Sequence, residues 1–272
     1  MSIRAREVQA AYGGSAGAWA AGPAAIYRRM AEPLVAKSPL PLDGARVVDF
    51  GAGTGATTAA VAAAGAEVVG VDLTLDMLRA DRASRPPAIN ADATRLPFRT
   101  GSFDAAMGAF VLSHVPTPID ALAEAARVVR PGGAVMTVGF DGRWEFGAKE
   151  TIERVMGEFG LRRPEWYARF KSHVEPLTAF PERLAAVADT AGLADVQVQE
   201  CAVDVGVRDT EGIVAWRLGT PMYAPFMAGL DEERRAEVLD ALHAAVGPEP
   251  EPLVPRLLVL TARVPPGRAE PG

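Results

Sequence analysis

Short apolar runs alternate with amphipathic stretches through the first half of the chain. Residues 45–50 (Ala-Arg-Val-Val-Asp-Phe) are a valine-rich run between Asp43-Gly44 and Gly51, which predicts a buried strand. A glycine cluster follows, then an alanine-rich helix from Thr57 to Ala64, stopped by Gly65. Glu67 to Asp72 reads as a second strand, residues 74–83 as a helix ended by Pro86-Pro87, Ala88 to Ala91 as a third strand and Phe103 to Ala109 as a fourth. In the next helix Thr117 stands at the N-cap, Pro118 at the first helical position and Asp120 in the first turn. Ile119, Leu122, Ala126 and Val129 recur at helical spacing until Pro131-Gly132-Gly133 stops them, and Ala134 to Phe140 is a fifth strand. Strands that alternate with helices and are apolar on both faces predict a parallel sheet with right-handed crossovers, an α/β, doubly wound fold.

The alternation breaks at residues 141–180, where Trp144, Phe146, Phe159, Trp166, Tyr167 and Phe170 stand among many charges: a helical lid insertion. A helix from Pro181 to Ala191 and a sixth strand from Val196 to Val205 resume the core. A second interruption, about 209–247, holds two helical segments, the later one Asp231 to Val246. A Pro/Glu stretch leads to a last strand, Arg256 to Val264, expected to run antiparallel, and residues 265–272 are expected to fray. The chain thus divides into an amino-terminal segment (1–42), a half core (43–140), the lid (141–180) and the remaining core (181–264).

Composition narrows the function. With 49% hydrophobic and 23% charged residues, a chain of 272 can bury a full core. Twenty-eight Lys and Arg against 34 Asp and Glu give a net charge of -6, with no long basic run, which disfavours nucleic acid as a partner. Cys201 alone excludes an internal disulfide and any multi-thiolate zinc site. The first residues lack the apolar core of a signal peptide, and no apolar stretch approaches the roughly 18 residues of a membrane span. The expectation is a cytoplasmic protein with no membrane partner and no metal, acting on a small molecule as a monomer or homodimer.

The strongest local signal is Asp49-Phe50-Gly51-Ala52-Gly53-Thr54-Gly55-Ala56, a strand running into three glycines and a helix. Such a loop lets backbone approach a ligand closely. Gly51-x-Gly53-x-x-Ala56 also fits a dinucleotide fingerprint. Two carboxylates bear on the choice. Asp49, two residues before the first glycine, would repel a pyrophosphate but suits a cationic amine. Asp72, 17 residues beyond Gly55, ends its strand where a carboxylate can accept from both ribose hydroxyls.

The run Val47 to Gly55 resembles the first motif of class I S-adenosylmethionine-dependent methyltransferases. Val71 to Leu78, Asn90 to Phe98, Phe103 to Met107 and Val129 to Gly133 resemble four further motifs in that family's order, closest in flavour to the small-molecule branch of ubiquinone/menaquinone-biosynthesis-type enzymes. The resemblance implies a Rossmann-like core, an amino-terminal helical cap, and S-adenosylmethionine as cofactor with S-adenosylhomocysteine as product. Gly51, Gly53 and Gly55 would lie against the methionine moiety and ribose, with Asp49 near the methionine amine, directly or through water. Asp72 would hold the ribose, Leu73 and Met77 the adenine or ribose face, Asp92 the adenine amine with Ala93 beside it, and Phe110 would border the cofactor. For Asp92 a capping role competes; Asp104 reads as structural, at the opposite end of its strand.

The implied reaction is in-line displacement at the sulfonium methyl, which needs alignment and exclusion of water more than a set of catalytic groups. His114, past the fourth strand at the sheet's carboxyl edge, is the candidate base, against a reading in which it bonds the following helix start. His173 faces substrate or solvent on the lid, and His243 reads as surface. Tyr12 and Trp19 line the pocket or anchor packing; Trp166 and Tyr223 are further pocket candidates, with Trp216 and Phe226 raising the same possibility. These aromatics imply an apolar or aromatic acceptor. Tyr167-x-x-x-Lys171 matches a short-chain dehydrogenase spacing, but Arg154 stands where those enzymes often place serine. Two alternatives stay open: a methyltransferase-like enzyme catalysing a non-methylating reaction such as cyclisation, and an NAD(P)-dependent oxidoreductase.

Overall fold

The structure, a computed structural model, describes residues 7, 9–10, 12–80, 82 and 85–266. The expected frayed tail from 267 onward, parts of the amino-terminal segment, and residues 81 and 83 of the helix expected over 74–83 lie outside the described residues.

The strands are β1 (Arg46–Phe50), β2 (Glu67–Asp72), β3 (Ala88–Asn90), β4 (Phe103–Ala109), β5 (Val129–Phe140), β6 (Ala194–Ala202) and β7 (Arg256–Arg263). They form one sheet in the order β3-β2-β1-β4-β5-β7-β6. The first five pair in parallel, and β7 runs antiparallel to both β5 and β6. The fold is a doubly wound, Rossmann-like α/β sheet whose last strand is antiparallel.

Successive strand residues point to opposite faces, and both faces are covered. Val47, Met107 and Met136 pack into one apolar cluster, their neighbours Val48, Ala106 and Val135 into the other. Helices α1 (Ala16–Ala21), α2 (Pro23–Ala36) and α3 (Ala56–Ala63) come first; α4 (Leu75–Arg79) follows β2, and α5 (Pro118–Val128) follows β4. Met30 and Leu34 of α2 join the first cluster, Leu122 and Ala125 of α5 the second.

Three local expectations change. Thr117 occupies the N-cap of α5, but its side chain makes no capping hydrogen bond. The helix stops at Val128, and Pro131-Gly132-Gly133 lies inside β5, where the ladder jumps from Phe103↔Val129 to Ala105↔Ala134. There Gly132 N–H donates to Val264 and Val264 N–H to Gly133, so backbone pairing with the chain just past β7 replaces the helix stop. The second interruption holds three helices rather than two: α10 (Thr210–Leu218), α11 (Ala224–Ala228) and α12 (Glu232–Val246).

Before them, residues 141–180 carry α6 (Gly147–Glu158), α7 (Glu165–Arg169), a single π turn (Phe170–Val174) and α8 (Glu175–Thr178), and α9 (Pro181–Thr190) returns to the sheet. α6, α10 and α12 pack Ile152, Ile213 and Leu242 against the same cluster as α2, so these helices share one side of the sheet, while Leu177 of α8 packs against the other cluster.

Candidate active site

The site lies at the carboxyl ends of β1, β2 and β4, where doubly wound sheets place ligands. Gly51 adopts φ +77°, and a Cβ there would stand 2.3 Å from Val111 Cγ2, so glycine is required on both counts. Gly51 and Ala52 N–H groups donate to Val71 O at 2.7 and 3.0 Å, tying the loop to β2. Asp72 completes the tie: Oδ2 accepts from Gly53 N–H at 2.8 Å and Oδ1 from Thr74 N–H at 2.7 Å. Burial raises the Asp72 pKa above the usual carboxylate value, against the pull of those two N–H groups.

One cavity is lined by Gly51, Gly53, Asp72, Leu73, Met77, Asp92, Ala93 and Phe110, which the sequence had grouped, together with Tyr12, Trp19, Tyr27 and His114. A Cβ on Gly53 would meet only Met77 Cε, at 3.6 Å, so this glycine opens directly on the cavity. Asp92 Oδ1 accepts from Thr94 N–H at 2.9 Å and Oγ1 at 2.8 Å, closing a turn without capping a helix. Phe110 sits at φ +57°, wedged between Tyr27 and Phe140 with ring centroids 4.8 and 5.0 Å away. Gln9 Nε2 donates to Leu73 O at 3.0 Å, drawing the amino-terminal segment over the cavity.

Asp49 and Gly55 lie elsewhere. Asp49 is fully buried behind the loop, where Thr58 Oγ1 donates to its Oδ2 at 2.5 Å and Oδ1 has no partner among the described residues. Desolvation pushes its pKa up to about 7. A Cβ on Gly55 would meet Arg85 and Thr58. Asp104, at the far end of its strand, accepts from Arg46 N–H and Arg130 Nε.

A second cavity adjoins the first and shares Tyr12, Trp19, Tyr27 and His114 with it. Its other walls include Phe140, Trp144, Trp166, Tyr167, Phe170 and Trp216, with Lys149, Lys171, Glu175, Arg217 and Tyr223. Trp166 and Tyr223 therefore line this cavity; His173 does not. It is exposed on an outer depression, with Nδ1 against Ser172 Oγ at 2.7 Å. Lys149 and Arg217 carried no signal in the sequence, because isolated cations on helices read as solvated surface. Tyr167 and Lys171 both face this cavity, but Lys171 is paired with Glu175 rather than with a tyrosine hydroxyl.

His114 ends the 3-10 turn Leu112–His114 on the shared wall. Its Nε2 lies 3.2 Å from Tyr12 Oη, and its ring stacks on Phe170 at 5.4 Å. The side chain thus bonds across the cavity, not to the start of α5. Desolvation lowers the imidazole pKa to about 4 and raises the Tyr12 phenol well above its usual value, so both are neutral near pH 7.

A glycine loop clamped by a strand-end carboxylate opens here on an apolar cleft, at the edge where Rossmann-like sheets receive their ligands. Residues 48–137 match the methyltransferase-domain family model. The chain is 34% identical to the demethylmenaquinone methyltransferase of Corynebacterium kroppenstedtii over 182 residues, which cover 66% of this chain and 78% of that enzyme. Among solved structures it is similar to Haemonchus contortus phosphoethanolamine N-methyltransferase 2 in complex with S-adenosyl-L-methionine (TM-score 0.52, 18% identity, 86% of this chain, 51% of that one). The (4+2)-cyclase SpnF shares the fold as well (TM-score 0.54, 20% identity, 88% of this chain, 81% of that one). The chain belongs to the class I S-adenosylmethionine-dependent methyltransferases, in the branch that holds the menaquinone-type enzymes. The oxidoreductase alternative falls with that membership. No helix among the described residues is long and apolar enough to cross a membrane.

Proposed function

We propose that this chain methylates a small molecule with an aromatic or apolar body, seated in the second cavity, by in-line displacement on S-adenosylmethionine held in the first. The observation that carries the reading is the shared wall: Tyr12, Trp19, Tyr27 and His114 front both cavities, so two occupants would meet there.

The first cavity fits the cofactor. Two N–H groups occupy only part of the acceptor capacity of Asp72, whose two oxygens offer about four lone-pair sites, so ribose hydroxyls can still be received. Leu73 and Met77 supply apolar faces for adenine, Ala93 flanks it, and Asp92 stands at the rim for its amine. Gly53 leaves room for the methionine end. Asp49, behind the loop, shapes the site through Thr58 and gives up direct contact. The cofactor supplies an electrophilic methyl on a sulfonium.

The remaining work belongs to the protein. The rings exclude water and align the acceptor. His114, neutral and desolvated, is positioned to take a proton at Nε2 relayed through the Tyr12 hydroxyl, which gives its own proton to Nε2 as it receives one from an acceptor hydroxyl or acidic carbon.

Calorimetry with S-adenosylmethionine and S-adenosylhomocysteine tests the donor, and mass spectrometry of products from an aromatic acceptor panel tests the transfer. Binding of both, with products heavier by one methyl, is expected. A product isomeric with its substrate would favour cyclisation, and methylation confined to short polar acceptors would overturn the acceptor class.

A further inference from the structure

The second cavity carries more positive charge than its own carboxylates balance. Arg217 lines it and is only 8% exposed, yet no Asp or Glu among the described residues lies within ion-pair distance of it. Its contacts are neutral: Nη2 donates to Tyr223 Oη at 2.9 Å, and the guanidinium lies 4.9 Å from the Tyr223 ring centroid and 5.3 Å from that of Trp216. Its Nε–H is buried with no acceptor among the described residues. Lys149, on the same wall, rests 5.7 Å over the Trp144 ring and likewise has no carboxylate partner among the described residues.

The nearby acids are engaged elsewhere. Glu175 pairs with Lys171, Asp141 with Arg143 and Arg256, and Glu153 on α6 with Arg163. A buried charge with only neutral partners is costly, and charged side chains are seldom buried unless something pairs with them. Ring faces return only part of that cost. Consistently, burial and the charges of Arg217 and Lys171 lower the Lys149 ammonium to about 8.

We infer that the second cavity selects an acceptor bearing a carboxylate on its aromatic body, received by Arg217 and Lys149 while the ring stacks among Trp144, Trp166 and Tyr167. The guanidinium supplies the planar donor fork that matches a carboxylate, and Lys149 a second charge at the same wall. Calling the occupant the acceptor rests on the methyl-transfer reading; the anion site itself does not.

Calorimetry of the full chain saturated with S-adenosylhomocysteine, titrated with 2-naphthoate and with the isosteric neutral 2-naphthamide, tests this. Naphthoate should bind about ten- to a hundredfold more tightly, as for a charge-assisted contact, with the preference falling as salt rises. Arg217→Gln and Lys149→Gln should each erase most of the preference, weakening naphthoate far more than naphthamide. Lys149 is half-buried, so Lys149→Gln keeps the test intact should Arg217→Gln fail to fold. Equal binding of the two probes, binding of neither, or a preference that survives both substitutions would overturn the inference. Heat from S-adenosylhomocysteine without a carboxylate preference sinks the anion site alone; a carboxylate preference in the unloaded chain without that heat sinks the methyl-donor reading alone.

Discussion

The Tyr12 hydroxyl lies 3.2 Å from His114 Nε2, a contact between residues 102 apart that bridges the amino-terminal segment and the sheet edge. It stands on the wall common to both cavities and holds one imidazole nitrogen, while Nδ1 is buried without a partner among the described residues.

His114→Ala should slow turnover roughly a hundredfold, the lower range for losing a general base, with S-adenosylhomocysteine affinity retained. Tyr12→Phe should cost less. Because the His114 pKa is lowered to about 4, the wild-type rate contributed by this group should fall only as the pH drops through that value. An acid limb near 6.5 in the kcat/KM profile, absent from His114→Ala, would mean the ring is hydrated.

Asp72→Ala should weaken S-adenosylhomocysteine binding by about 1–3 kcal/mol, since it strands the Gly53 and Thr74 N–H groups as well as the ligand's hydroxyls. Calorimetry reads this directly. Unchanged affinity would move the ribose elsewhere.

The two glycines that face the cavity should fail in different ways. Gly51→Ala drives a Cβ into Val111 at positive φ and should lower stability by about 1–3 kcal/mol. Gly53→Ala meets only Met77 at 3.6 Å, so beyond its positive-φ strain it should leave most stability and instead weaken cofactor binding. Denaturant melts and calorimetry on both variants separate the two effects; equal destabilisation would refute the distinction.

Asp49 and His114 impose opposite pH dependences on stability. The Asp49 pKa is raised from 3.8 to about 7, so the folded state holds a proton the unfolded chain releases; this contribution is full below 3.8 and is lost as pH rises through 7. The His114 pKa is lowered from 6.5 to about 4, so its contribution is full above 6.5 and is lost as pH falls toward 4. The two offset each other between. Asp49→Asn removes the first, so stability of the variant relative to wild type should rise with pH between those limits, by up to about 1.4 kcal/mol per pH unit. Urea titrations at pH 4.5, 5.5 and 6.5 check this, and parallel profiles would place Asp49 in a wetter site.

What could be read along the chain were features whose causes are local. The strand ends at Asp49 and Asp72, the glycine loop between them and the apolar alternation of Val47 and Val48 each arise within a few residues, and from them came the sheet, the cofactor family and most of one cavity's lining. The end of α5 was misread because helical spacing carried through Val129, while pairing of Gly132 and Gly133 with Val264 overrode it from the far end of the chain. The motif shows where Asp49 stands, near the methionine amine directly or through water, but not the direction of its side chain, toward Thr58.

The sequence by itself determined the doubly wound sheet and the family, since strand, loop and helix signals each arise within a short stretch of chain. Only the tertiary structure decided that Tyr12 meets His114, that His173 turns outward, and that Arg217 and Lys149 line one cavity with no carboxylate within ion-pair distance of either among the described residues. Those arrangements join segments far apart in the chain, and whether a charge is solvated or buried depends on the partners that folding brings to it.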